Sequence, residues 1–250
     1  MNSIRRAMAD GRPSVGIWSV LPGSVVCEAL GGVGFDWILL DTEHGASSVS
    51  DLIPSLQALQ LGGTDAIVRV PWNDAATIMR VLDLGAAGVI VPMVSSAEEA
   101  KLVAQASRYP PAGVRSWGPT RGGGRSTREV NSDVVVLVMI ETKEGLDNVE
   151  EIVSTEGIDG VFVGPVDLGL SLGCEVTYGV QDERVRSAID VIIESCVRHQ
   201  RVAGTVAFDA DHARELIDRG VTFLTLGSDA GYLRSGAVKD LEIAKSLGAK

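Results

Sequence analysis

Short unbroken apolar runs alternate along this chain with longer stretches whose apolar residues recur at three- and four-residue spacing. The runs are too short for ordinary helices and read as strands buried on both faces. They fall at residues 15–20, 35–40, 66–70, 88–91, 134–140, 161–163, 202–207 and 221–226. The stretches between them predict helices. Pro22-Gly23-Ser24 opens one that runs toward Gly31-Gly32, and Ser50 is placed to cap another that stops at Gly62-Gly63. Asp74 caps the helix carrying Ile78, Val81 and Leu82, and Ser96 caps one through Arg108. Residues 182–200 make the clearest helix, with Val185, Ala188, Ile189, Ile192, Ile193, Cys196 and Val197 on one face. Asp209 caps a helix ending at Gly220, and Ser228 or Asp229 starts the last one. Eight strands alternating with helices favour a (β/α)8 TIM barrel, one domain over residues 1–250. A doubly wound open sheet is the competing architecture.

Residues 109–133 break this rhythm. They are rich in Pro, Gly and Arg, include Gly122-Gly123-Gly124, and read as one long loop. No Gly-Lys-Ser/Thr follows the three glycines, so they are not a Walker phosphate loop. Arg115, Arg121, Arg125 and Arg128 surround them and suit either the distal end of an anionic substrate or a surface facing solvent or another subunit.

Composition narrows the partners. A net charge of -11 argues against nucleic acid or an anionic membrane as partner. The absence of a signal-peptide pattern, of a long apolar span and of clustered cysteines (Cys27, Cys174, Cys196) predicts a cytoplasmic protein with free thiols.

In a barrel the polar groups at strand carboxyl ends converge on one mouth. Here they are Asp41, Glu43 and His44 after the second strand, Arg69 after the third, Glu141 after the fifth and Asp167 after the sixth. Asp209 and Ser228-Asp229 follow the last two. Glu141 and Asp167 suit a hard divalent cation that keeps open positions for water and substrate. Each also reads as a helix-start carboxylate satisfied by backbone N–H groups. His44 suits a general base oriented by Asp41, or a structural histidine. Arg69 suits a carboxylate or a polarised carbonyl oxygen, or a plain ion pair. Gly164-Pro165-Val166-Asp167-Leu168 reads as a turn into a helix whose free N–H groups suit a small anion. His199 and His212 sit among charged neighbours and read as solvent-facing. Of the lysines (Lys101, Lys143, Lys239, Lys245, Lys250) only Lys143 lies near a strand end, so a Schiff-base mechanism has little support.

These residues also form a family pattern. Asp36-Trp37-Ile38-Leu39-Leu40-Asp41-Thr42-Glu43-His44-Gly45 resembles the second-strand motif of the HpcH/HpaI aldolases, metal-dependent pyruvate aldolases of aromatic and sugar-acid catabolism. Val68 to Asp74, Val91-Pro92-Met93-Val94 with Ala97-Glu98-Glu99-Ala100, Arg108-Tyr109-Pro110-Pro111, Gly113-Val114-Arg115, Ile140-Glu141-Thr142 and Gly164 to Leu168 resemble that family's later motifs in order. The resemblance implies a barrel assembled as a homo-hexamer, a trimer of dimers, with the last helices exchanged between neighbours. It implies that Glu141 and Asp167 bind Mg2+, Mn2+ or Co2+, which chelates the keto acid. Arg69 would stabilise the enolate, and backbone amides of Gly164, Pro165, Val166 and Asp167 would hold the substrate carboxylate. His44, with Asp41 or Asp83 and a water, would move the proton. The implied activity is class II cleavage of a 4-hydroxy-2-oxo acid to pyruvate or hydroxypyruvate plus an aldehyde. The chain departs from the pattern at Met139, where a glutamine is common, at Gly169, where a serine is common, and at Ser116-Trp117-Gly118-Pro119 with the glycine-rich segment. The alternatives are a CoA-ester lyase like the citrate lyases, with the arginine loop as its only basic surface, a non-catalytic keto-acid-binding barrel, and a phosphate-binding barrel isomerase using Gly227 to Gly231.

Overall fold

The computed structural model of the protein describes residues 1–121, 123–175 and 182–248. Gly122 and Lys250 lie outside the described residues. Eight parallel strands close into a barrel in sequence order: β1 (Ser14–Ser19), β2 (Trp37–Asp41), β3 (Asp65–Arg69), β4 (Gly88–Val91), β5 (Val135–Ile140), β6 (Gly160–Val163), β7 (Val202–Ala207) and β8 (Phe223–Ser228), with β8 pairing back onto β1. This is the (β/α)8 barrel, and closure excludes the open sheet.

The helices are α1 (Ser3–Ala9), α2 (Ser24–Leu30), α3 (Leu52–Leu61), α4 (Ala75–Asp83), α5 (Ala97–Ala106), α6 (Thr127–Asp133), α7 (Lys143–Asp147), α8 (Val149–Ser154), α9 (Pro165–Ser171), α10 (Glu183–Arg198), α11 (Ala210–Asp218) and α12 (Asp229–Ser246). Caps set most of their starts as expected: the carboxylates or hydroxyls of Asp74, Ser96, Asp182, Asp209 and Ser228 accept from backbone N–H groups one turn on. Three expectations change. Ser48, not Ser50, caps the α3 region, through a 3-10 turn at Val49–Asp51. Residues 127–133 of the expected loop are α6, held by a capping box between Ser126 and Glu129. On α10, Val197 is exposed while its six apolar companions are buried. Among the described residues no helix is long and apolar enough to cross a membrane.

The core has two parts. One lies between the strands and the surrounding helices. The other fills the barrel: Trp37, Leu39, Ile67, Ile90, Val135, Leu137, Met139, Phe162 and Phe223, closed below by Ile4 of α1. Side chains alternate across a strand, so residues two apart share a face. That parity aims the site. Asp41 is two beyond Leu39, Arg69 two beyond Ile67, and Glu141 two beyond Met139. Gly16 exists because a Cβ there would overlap the Trp37 ring, which stacks on Phe223 with centroids 4.0 Å apart.

Candidate active site

Arg69 ends β3 with its guanidinium inside the barrel mouth, 6 % exposed. Asp41 is its register partner on β2 and grips it with two bonds, Nε to Oδ1 at 2.9 Å and Nη2 to Oδ2 at 2.6 Å. Trp18 of β1 lies under the guanidinium, 4.8 Å from the ring centroid. Its Nε1–H also donates to Asp41 Oδ2 at 2.9 Å. The Asp41 carboxylate further accepts the backbone N–H groups of Glu43 (3.1 Å) and His44 (3.2 Å). Burial pushes the Asp41 carboxyl up, but Arg69 and the Trp18 and His44 donors outweigh it and hold it below the usual carboxylate range.

Three more carboxylates face this pair. Glu43 Oε2 lies 2.9 Å from Arg69 Nη1, off hydrogen-bond geometry, and has no hydrogen bond among the described residues. Glu141 follows β5 and is buried; its Oε1 accepts the Met93 N–H at 2.7 Å. Met93 holds the left-handed conformation (φ 57°), sparsely populated by residues with a side chain, in the turn that aims this N–H. A Cβ on Gly164 would overlap Glu141 Oε2, so a larger residue there would displace that carboxylate. Asp167, half-buried in the first turn of α9, makes no side-chain hydrogen bond among the described residues. Burial pushes the Glu141 carboxyl up to about 7; the Met93 N–H opposes this, Glu43 and Asp167 add to it, and Arg69 offsets part. Burial raises Glu43 as well. Glu141 Oε2 and the Asp167 carboxylate accept no hydrogen bond among the described residues, and such free carboxylate oxygens in a cluster with more acids than cations are the donor chemistry of a hard divalent cation. Among the described residues no three histidine, cysteine or acidic groups lie together as a set of metal ligands.

The HpcH/HpaI aldolase/citrate lyase family model matches residues 14–235, which hold every one of these groups. The chain belongs to that family. It is 38 % identical over 244 residues to a 5-keto-4-deoxy-D-glucarate aldolase of Klebsiella pneumoniae, covering 95 % of this chain and 94 % of that one. It is 37 % identical to a hydroxypyruvate/pyruvate aldolase of Rhizorhabdus wittichii, covering 99 % and 100 %. A solved HpcH/HpaI family structure from Burkholderia cenocepacia superposes with a TM-score of 0.91 at 28 % identity, covering 98 % of this chain and all of that one.

Against that family pattern, some residues expected together are apart. The His44 ring is 67 % exposed on the rim, with Nε2 4.0 Å from Glu43 Oε1. Asp41 does not orient that ring; its oxygens are taken by Arg69, Trp18 and backbone N–H groups. Asp83 closes α4 at the opposite end of the barrel, paired with buried Arg115 at 2.7 Å, and does not reach the mouth of its own chain. Arg121 and Arg125 lie at that end too, lining a crevice of about 650 Å3 with Gln60, Asp65 and Asp133 that shares no residue with the site. Arg128 is exposed. Asp209 and Asp229 serve structure: Asp209 caps α11, and buried Asp229 accepts from the Ser19 hydroxyl (2.8 Å) and the N–H groups of Val20 and Leu21. Lys143 is exposed and paired with Asp147. His199 is exposed, whereas His212 is half-buried and stacked on Phe208. Pro165 has no N–H, so the amide donors in its turn are those of its neighbours.

Trp18 was not among the sequence candidates, and Met93 and Glu43 were named without a role. For Trp18 the signal was parity, an aromatic at an inward position one residue before the end of β1. For Met93 no signal exists, because its role is carried by its backbone.

Proposed function

We propose that this chain is a divalent-metal-dependent aldolase that reversibly cleaves a 4-hydroxy-2-oxo acid into pyruvate or hydroxypyruvate and an aldehyde. The observation that carries the reading is the buried Arg69 guanidinium, held rigidly at the mouth beside three carboxylates, two of them raised by burial. The aldolase relatives, which match over nearly their whole length, support it.

Glu141 and Asp167 would hold Mg2+, Mn2+ or Co2+, which supplies Lewis-acid polarisation of the keto acid. The chain's own groups do the rest. In cleavage the C4 hydroxyl loses its proton, the C3–C4 bond breaks, the aldehyde leaves, and the electron pair becomes the enolate of pyruvate. Arg69 faces that developing oxyanion with a guanidinium already oriented by Asp41, so little reorganisation accompanies the reaction. N–H groups in the first turn of α9, beyond Pro165, bind the substrate carboxylate. His44 on the rim takes the hydroxyl proton through a water and a proton returns to C3, giving pyruvate. The exposed position of His44 suits a group that exchanges protons with solvent and meets the aldehyde end.

The basic loop that a CoA-ester lyase would need lies at the other end of the barrel from the mouth. A homo-hexamer with exchanged helices is supported by α12. Of its 18 residues only Asp229 is buried, and Leu233, Val238, Leu241 and Ile243, with Leu247 just beyond, are exposed. The three free cysteines fit a cytoplasmic protein, and the named aldolase relatives support a role in sugar-acid or aromatic catabolism. The test is pyruvate release from a panel of 4-hydroxy-2-oxo acids, with a CoA thioester as comparison. Turnover of the thioester alone would overturn the reading.

A further inference from the structure

We infer that Trp18 is a positioning residue for the enolate step, setting Arg69 through Asp41, and that it is braced from below by a column of aromatic rings. The inference rests on the aldolase reading. Trp18 acts on the pair from two sides. Its indole N–H ties Asp41 Oδ2, the same oxygen that accepts Arg69 Nη2. Its ring lies under the guanidinium at 4.8 Å and closes that face. A bidentate pair alone still pivots about the line of its two bonds. The indole N–H fixes the carboxylate and the ring fixes the guanidinium plane, so together they remove that pivot.

The Trp18 ring is itself held. It packs on Phe162 with centroids 5.6 Å apart, Phe162 meets Phe223 edge-on at 6.2 Å, and Phe223 stacks on Trp37 at 4.0 Å. Gly16 and Gly204 make room, since a Cβ at Gly16 would overlap the Trp37 ring and one at Gly204 would crowd Phe162 and Phe223. The column runs along the barrel interior toward the mouth. The same inward parity that supplies Asp41, Arg69 and Glu141 therefore supplies their support. Catalytic geometry of this kind depends on the residues behind it, because a small misplacement of an oxyanion donor costs turnover more than binding.

The test is exchange of pyruvate methyl protons with deuterated solvent, followed by NMR in the metal-supplemented protein, which reads enolate formation with no aldehyde present. Trp18→Phe keeps a ring and removes the N–H. It is expected to lower the exchange turnover roughly tenfold, the scale of one hydrogen bond to a charged group, with the KM for pyruvate within about twofold. In an Arg69→Ala background the same substitution is expected to change turnover less than about twofold, because the group it positions is gone. Turnover at the wild-type rate in Trp18→Phe, or an equal loss in both backgrounds, would overturn the inference. Should Trp18→Phe fail to fold, Phe162→Leu, which touches neither Asp41 nor Arg69 in the column, is read by the same cycle. A second readout needs no activity. The Trp18 indole N–H should exchange slowly in the metal-free wild type and quickly in Asp41→Ala; equal rates would count against the bond. A wild type that exchanges no pyruvate protons removes the aldolase reading itself, whereas exchange with an uncoupled Trp18 removes only this inference.

Discussion

Replacing Arg69 by alanine separates catalysis from structure. The side chain makes two bonds to Asp41, lies 2.9 Å from Glu43 Oε2 and covers the Trp18 ring. Its loss leaves two carboxylates facing each other without a cation. Breaking a buried pair costs about 3–5 kcal/mol of stability. Here the lower end applies, because Asp41 keeps the Trp18, Glu43 and His44 donors. The catalytic loss is a different quantity. Removing one preorganised oxyanion donor costs about 10²–10³ in turnover, or about 2.7–4 kcal/mol. Arg69→Lys tells them apart. It restores a cation and much of the stability, but a single ammonium cannot reproduce a fork that spans both oxygens of Asp41, so turnover should stay at least about tenfold down. The assay is pyruvate release from a racemic 4-hydroxy-2-oxo acid coupled to lactate dehydrogenase, with urea melts in parallel. Near wild-type turnover in folded Arg69→Ala would refute the assigned role and leave Arg69 a structural ion pair.

The raised Glu141 predicts the acid–base behaviour of the metal-free protein. Its folded value of about 7 exceeds the ordinary glutamate value of 4.5, so the folded state binds the extra proton between them. Stability from this group is therefore full below about 4.5 and lost as pH rises through 7, with ~3 kcal/mol at stake. Urea melts of EDTA-treated protein should show that loss, and Glu141→Gln should flatten it; an unchanged slope in the variant would assign the effect elsewhere. Gly16→Ala drives a methyl into the Trp37 ring and should cost about 1–3 kcal/mol, read by denaturant midpoint. Asp229→Ala unties the end of β1 from the start of α12 and should cost about 1–3 kcal/mol by the same melts, since several buried donors lose their acceptor.

Much of the fold was legible because parallel barrel strands are buried on both faces and so stand out as apolar runs. Their ends were less so. Asp41 belongs to the ladder although polarity alone places it beyond the second run, because its charge lies in register with that of Arg69. Helix α6 escaped notice because it buries no residue and so has no apolar stripe; its Ser126–Glu129 capping box was the one local mark. Asp41, Arg69, Glu141 and Asp167 were readable from strand-end placement. The bond between Asp41 and the His44 ring was not there to be found. Local spacing suggested it, but Arg69 and Trp18 reach the carboxylate from other strands. Asp83 and the arginine loop lie away from the mouth of their own barrel because the carboxyl end of a helix is at the opposite face from the strand end that preceded it, which suits the solvent- or subunit-facing reading of the loop.

In the proposed mechanism, carboxylates at this mouth hold a divalent cation that works with Arg69. The direct measurement is pyruvate release from a 4-hydroxy-2-oxo acid before and after EDTA, with Mg2+, Mn2+ or Co2+ then added back. Activity is expected to disappear with EDTA and return with metal in the wild type, but not to return in Glu141→Ala. Activity that survives EDTA undiminished would contradict that mechanism.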